Sequence, residues 1–189
     1  MSRFSSDEHL TRYLETGVFP DIHRPMVEAV QWACPADARF IDLGACFGLL
    51  GAAVLTLRPG AFAIGVERSA RAIEDGQRAG VPMQCIRLDV RRETLPDLVA
   101  LVRRFRVNTI LARRVLPELW GEDIEGGRMF AQSMRGAGVR QVIIEGRKAV
   151  ASARNNLASV ELEAAIMRPH YREAGRPAGR AAIIVLERA

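Results

Sequence analysis

The hydrophobic positions of this chain alternate between two periods. At the start they fall at helical spacing. Leu10, Tyr13 and Leu14 share one face of a polar segment that opens with the capping-box spelling Ser5-x-x-Glu8 and closes at Gly17. Asp21 and Pro25 then open a second helix, Met26 to Ala33, which Pro35 ends. From Ala38 the rhythm becomes strand, helix, strand. Strands are predicted over Arg39–Leu43, Ala61–Val66, Met83–Leu88, Asn108–Ala112 and Val139–Glu145, with an edge strand His170–Ala174 and a last apolar strand Ala181–Leu186. Helices are predicted between them: Phe47–Leu57, a short one capped by Ser69, Leu95–Arg106, Asp123–Met134 (weakened by Gly126-Gly127) and Asn155–Met167. Such alternation predicts a doubly wound α/β fold with a mostly parallel sheet and helices on both faces. Residues 1–37 read as a helical flank or lid, and residues 38–189 as the main domain of a chain of 189 residues.

In a doubly wound sheet, ligands bind at the carboxyl ends of the strands. Here the first strand runs into Asp42-Leu43-Gly44-Ala45-Cys46-Phe47-Gly48. Glycine there permits positive φ and close approach of a ligand, and the amides of the next helix start face it. The second strand ends at Glu67, an acid able to accept from ribose hydroxyls, and the third at Asp89, able to receive an exocyclic amine. Each has a plainer reading: a tight turn for the glycines, a helix-capping acid for Asp42, a strand-end charge for Glu67, a turn residue for Asp89. Together, on successive strands, they describe a nucleoside pocket.

On these residues the chain resembles the class I S-adenosylmethionine-dependent methyltransferases. Asp42-x-Gly44-x-x-x-Gly48 looks like their first motif. Glu67 lies where that family places its ribose-binding acid, and Asp89 where it places the residue near the adenine amino group. Cys46 stands at the middle glycine of the family's usual Gly-x-Gly-x-Gly spelling, and Leu50 at its last, with Gly51 one residue late. The resemblance implies a Rossmann-like methyltransferase fold whose last strand runs antiparallel between its neighbours. It implies S-adenosylmethionine as cofactor, bound by Asp42, Gly44, Ala45, Cys46, Gly48, Glu67 and Asp89, and transfer of a methyl group to an acceptor the sequence does not identify.

The fourth strand is expected to deliver substrate-facing residues, and it ends in Arg113-Arg114-Val115-Leu116-Pro117-Glu118-Leu119-Trp120. Neither the Asp/Asn-Pro-Pro-aromatic sequence of amino-methylating nucleic-acid enzymes nor the Pro-Cys dipeptide of cytosine-carbon methylating ones occurs there. Arg113 and Arg114 suit an anionic acceptor group. Glu118 suits a general base and Trp120 a stacking platform. The alternative is an internal pair between either arginine and Glu118, with Trp120 packing a loop. Glu145-Gly146-Arg147-Lys148 and Asn155-Asn156 would line the same mouth, and His23 would close over it.

The net charge is +5, and Lys148 is the single lysine among 27 basic residues. The scattered arginines leave nucleic acid open as a partner. A non-catalytic protein that uses them on nucleic acid or a protein partner is the competing reading. A nicotinamide-dependent oxidoreductase is a third, disfavoured because no Tyr-x-x-x-Lys pair exists. No apolar run of membrane-spanning length, no metal-ligand spacing and three cysteines in an odd set point to a cytoplasmic protein without membrane or metal.

Overall fold

The central strands alternate their side chains between two apolar layers, and this explains why the sheet must be covered on both faces. Phe40, Leu111 and Ile143 point to one face while Ile41, Ile110, Val142 and Ile144 point to the other, and all of them are buried. In the computed structural model, which describes residues 4–121, 123–147 and 159–189, the strands are β1 (Arg39–Leu43), β2 (Phe62–Glu67), β3 (Cys85–Arg87), β4 (Thr109–Arg113), β5 (Gln141–Glu145), β6 (Tyr171–Gly175) and β7 (Ile183–Arg188). They form one seven-stranded sheet in the order β3-β2-β1-β4-β5-β7-β6. The first five are parallel, and β7 runs antiparallel between β5 and β6. This is the Rossmann-like methyltransferase topology, with its reversal of strand order between β1 and β4.

The helices are α1 (Phe4–Thr16), α2 (Arg24–Ala33, after a 3-10 turn at Asp21–His23), α3 (Leu49–Leu57), α4 (Ala70–Arg78), α5 (Leu95–Arg104), α6 (Leu116–Trp120), α7 (Ile124–Ala137) and α8 (Val160–Met167). Most expected boundaries are met within one or two residues; α6 was not expected, and the expected start of α8 at Asn155 lies outside the described residues. Gly17 ends α1 at φ +66°, its N–H donating to the Tyr13 carbonyl, and Ser69 caps α4 by accepting from Ala72 N–H. Gly126 and Gly127 do not break α7. They sit in its buried first turn, Asp123 caps it, and Trp120 and Ile166 occupy the space a side chain would take. Met26, Ala29 and Val30 of α2 are wholly buried in the same layer as α3, so this helix is a working part of the core. Lys148, Asn155 and Asn156 lie outside the described residues. No helix among the described residues is long and apolar enough to cross a membrane.

Candidate functional site

The turn after β1 is tied to the end of β2. Gly44 and Ala45 both donate their N–H to the Val66 carbonyl, at 2.9 and 3.1 Å. That pulls the loop across the carboxyl edge of the sheet. Glu67 then clamps it, with Oε2 accepting from Cys46 N–H at 2.9 Å and Oε1 from Ser69 N–H at 2.8 Å. One acid therefore fixes the glycine turn and the start of α4 together. Gly44 and Gly48 take positive φ, +71° and +81°. Cys46, at the position where the family has glycine, does the same at φ 51°. A side chain there costs about 1–2 kcal/mol.

Above this turn opens a cleft of about 760 Å³. Gly44, Ala45, Cys46, Glu67 and Asp89 line one part of it, and Arg113, Arg114 and Glu118 another. Asp89 is held at the rim by Arg91, and its carbonyl accepts from Thr94 Oγ1 at 2.7 Å. Asp42 and Gly48 stand behind the turn and do not line the cleft. Asp42 is buried, with Oδ2 accepting from Gly51 N–H at 3.1 Å, so it acts as the capping acid of α3. Gly76 was not singled out by sequence, yet a Cβ on it would stand 2.5 Å from the Phe47 carbonyl oxygen, so it lets α4 lie directly against the turn. A lone glycine inside a helical pattern was the available signal.

Burial pushes the Asp42 carboxyl up from 3.8 to about 7, and the negative Glu67 adds to the rise. The Gly51 N–H and the Arg113 guanidinium oppose it. The folded state thus keeps a proton that the unfolded chain releases near pH 4. This group's contribution is fully present below that pH and is lost as pH rises towards about 7. Asp42→Asn keeps an acceptor for Gly51 but cannot ionise. The variant is expected to gain on wild type between about pH 4 and about pH 7 and to hold that gain above. Urea midpoints at both ends of the range check this, and a constant difference would rule out a raised carboxyl.

The β4 segment departs from the alternative of an internal pair with Glu118. Arg113 and Arg114 do not pair with Glu118. Both turn to Glu145 at the end of β5, Arg113 Nε at 3.1 Å from Oε2 and Arg114 Nε at 3.4 Å from Oε1. Successive strand residues normally face opposite sides. Here Arg114 adopts φ 56° and donates its own N–H to the Glu145 carbonyl at 2.7 Å, which re-aims both arginines to one carboxylate. Among the described residues, two of the three non-glycine residues at positive φ, Cys46 and Arg114, thus line the same cleft. Glu118 stays on the rim, 4.0 Å from Arg68 Nη2. Trp120 is not a stacking platform: it is 2% exposed and tilts against the Phe130 ring, because the short α6 turns it into the core. His23 lies at the cleft, and its Nδ1 is buried without a partner among the described residues. Burial, then Arg113 and His9, push its imidazole down to about 3, so it is neutral. Beneath Gly146, the buried Glu163 carboxyl is pushed up to about 8 by its burial, with Arg147 opposing.

No protein-family model matches the chain, and no curated protein matches it in sequence. Solved structures match it in fold. A TehB-like S-adenosylmethionine-dependent methyltransferase from Corynebacterium glutamicum superposes with a TM-score of 0.59 at 13% identity, over 97% of each chain. The pyocyanin biosynthetic protein PhzM gives 0.59 at 17% identity, covering 97% of this chain and 62% of its own. A chain of the fibrillarin/Nop5p complex gives 0.56 at 13% identity, covering 88% of this chain and 82% of its own. The present chain therefore spans less than two thirds of PhzM. The fold it shares with these proteins is the methyltransferase fold.

Proposed function

We propose that this protein is an S-adenosylmethionine-dependent methyltransferase whose cofactor lies in the cleft between the β1 turn, Glu67 and Asp89. The observation that carries the reading is the state of Glu67. Each of its oxygens accepts one backbone N–H. A carboxylate has about four lone-pair sites, so acceptor capacity remains for two ribose hydroxyls. The clamp also holds the turn in place before a ligand arrives, so little ordering is left for binding to drive. Cys46, at the family's glycine position, is compatible with this because the residue takes the left-handed backbone and its N–H serves the clamp.

When bound, the cofactor supplies a methyl group on a positively charged sulfur, which the acceptor's lone pair takes as the C–S bonding electrons return to sulfur. The chain has to align the acceptor, exclude water and receive a proton where the acceptor carries one. Glu118, on the rim and held only loosely by Arg68, suits that last role, since Glu145 is occupied by arginines. Three free cysteines support a reducing, cytoplasmic setting. Calorimetric titration with S-adenosylmethionine, S-adenosylhomocysteine and NAD tests the reading. Binding of the first two and not the third is expected. No heat from either up to millimolar ligand, with folded protein, overturns it. Salt-dependent affinity for nucleic acid without cofactor binding would select the non-catalytic alternative.

A further inference from the structure

At the β4 end of the cleft the Arg113–Arg114 pair shares a single partner carboxylate, with Glu118 turned to Arg68 on the rim. Arg113 and Arg114 bring two guanidinium groups, and Glu145 brings one carboxylate to share between them. The hydrogen bonds do not close. Arg113 spends Nε on Glu145, but its Nη2 is buried and has no hydrogen-bond partner among the described residues. His23 Nδ1, in the 3-10 turn before α2, is likewise buried and without a partner among the described residues. Both side chains line the same cleft. Leaving a buried charged donor unpaired is costly, and native structures pair almost all such groups with protein, water or ligand.

The missing partner is a hydrogen-bond acceptor, and for a guanidinium a negative one is favoured. A planar guanidinium edge and the His23 imidazole, in the tautomer that carries its proton on Nδ1, suit an oxyanion. Resting on the methyltransferase reading above, we infer that Arg113 Nη2 and His23 bind a carboxylate or phosphate group carried by the methyl acceptor. The cofactor is a poorer source for this anion. It carries a sulfonium, an ammonium and one carboxylate, so it is net positive, and its carboxylate sits beside its own ammonium. The arginine pair gains little from such a zwitterion. It gains fully from an anionic acceptor, which is drawn at once to the arginines and to the sulfonium. The acceptor class this defines carries its nucleophile close to an oxyanion.

The test uses S-adenosylhomocysteine to fill the cofactor side, with benzoate and inorganic phosphate as separate probes of the acceptor side. With saturating S-adenosylhomocysteine, at least one probe is expected to bind wild type in the millimolar range, and which one does separates carboxylate from phosphate recognition. Arg113→Lys keeps the charge beside Glu145 but loses the fork. It and His23→Leu are each expected to weaken that probe at least about tenfold, while S-adenosylhomocysteine affinity changes less than about threefold. His23→Leu keeps the reading testable if the lysine variant is unstable. No binding of either probe to wild type overturns the inference. So does a parallel loss of S-adenosylhomocysteine affinity in the variants, which would give the buried Nη2 to the cofactor. If S-adenosylhomocysteine itself does not bind, the methyltransferase reading fails. The same titrations on the ligand-free protein then decide the anion site alone: probe binding sensitive to both substitutions keeps it, and none overturns it.

Discussion

Gly44→Val is expected to lower the stability of the protein by about 2–5 kcal/mol and to abolish cofactor binding. Two costs add. The residue sits at φ +71°, where a side chain costs about 1–2 kcal/mol. A Cβ there would also stand 2.5 Å from Val115 Cγ2, and forcing extra carbon into a packed site typically costs about 1–3 kcal/mol. The obstacle is thus the protein's own Val115, which starts the segment after β4, rather than the ligand's space. Thermal unfolding should fall by roughly 4–20 °C for a chain of this size. Gly60→Ala is the control. Nothing lies within 4 Å of its added Cβ, so stability should be unchanged or slightly raised. The double variant with Val115→Ala should recover the steric part but not the backbone part, which a double-mutant cycle separates. A melting temperature for Gly44→Val equal to that of wild type would show that the turn yields, and would remove this account.

Glu67→Gln should weaken S-adenosylmethionine by about 10–150-fold, the equivalent of one charged hydrogen bond at about 1.5–3 kcal/mol. The amide has one oxygen where Glu67 has two. It must therefore set its NH₂ against either Cys46 N–H or Ser69 N–H, both of which need an acceptor. The substitution keeps shape and volume, so the loss is one of hydrogen-bond polarity. Calorimetry and denaturation together read it. A variant destabilised by about 1–3 kcal/mol with unchanged affinity would make Glu67 a clamp of the turn and nothing more.

The strands and their ends were legible in the sequence because each carries a local signal. Ile41, Ile64, Ile110 and Ile143 sit in short apolar runs, and a glycine or an acid marks the carboxyl end of the first three strands. Seven strands were expected and seven form. What escaped was set by distance along the chain. Glu118 is four or five residues from the arginines and looked like their natural partner. Glu145 is 32 residues from Arg113, and only the parallel register of β4 on β5, which sets Arg113 opposite Glu145, brings the two together. Trp120 was misjudged for a related reason. The five-residue α6 is too short to show a period, so nothing local tells which way its side chains face. Gly76 matters through what approaches it, the Phe47 carbonyl, and a sequence carries no direct mark of that.

The placement of β7 has a consequence for how the chain assembles during synthesis. Ile183–Arg188 fills a slot between β5 and β6, and β6 has no other neighbour in the sheet. Until those residues emerge, β5 shows an open edge and β6 has nothing to pair with. The strands carrying the glycine turn, Glu67 and Arg113 are all made earlier. The half that carries the glycine turn can therefore dock first, while the half that holds Glu145 waits for β7 to insert. A nascent chain stalled before Ile183 would carry two unsatisfied strand edges, so it would be a natural client for chaperones and a ready template for aggregation.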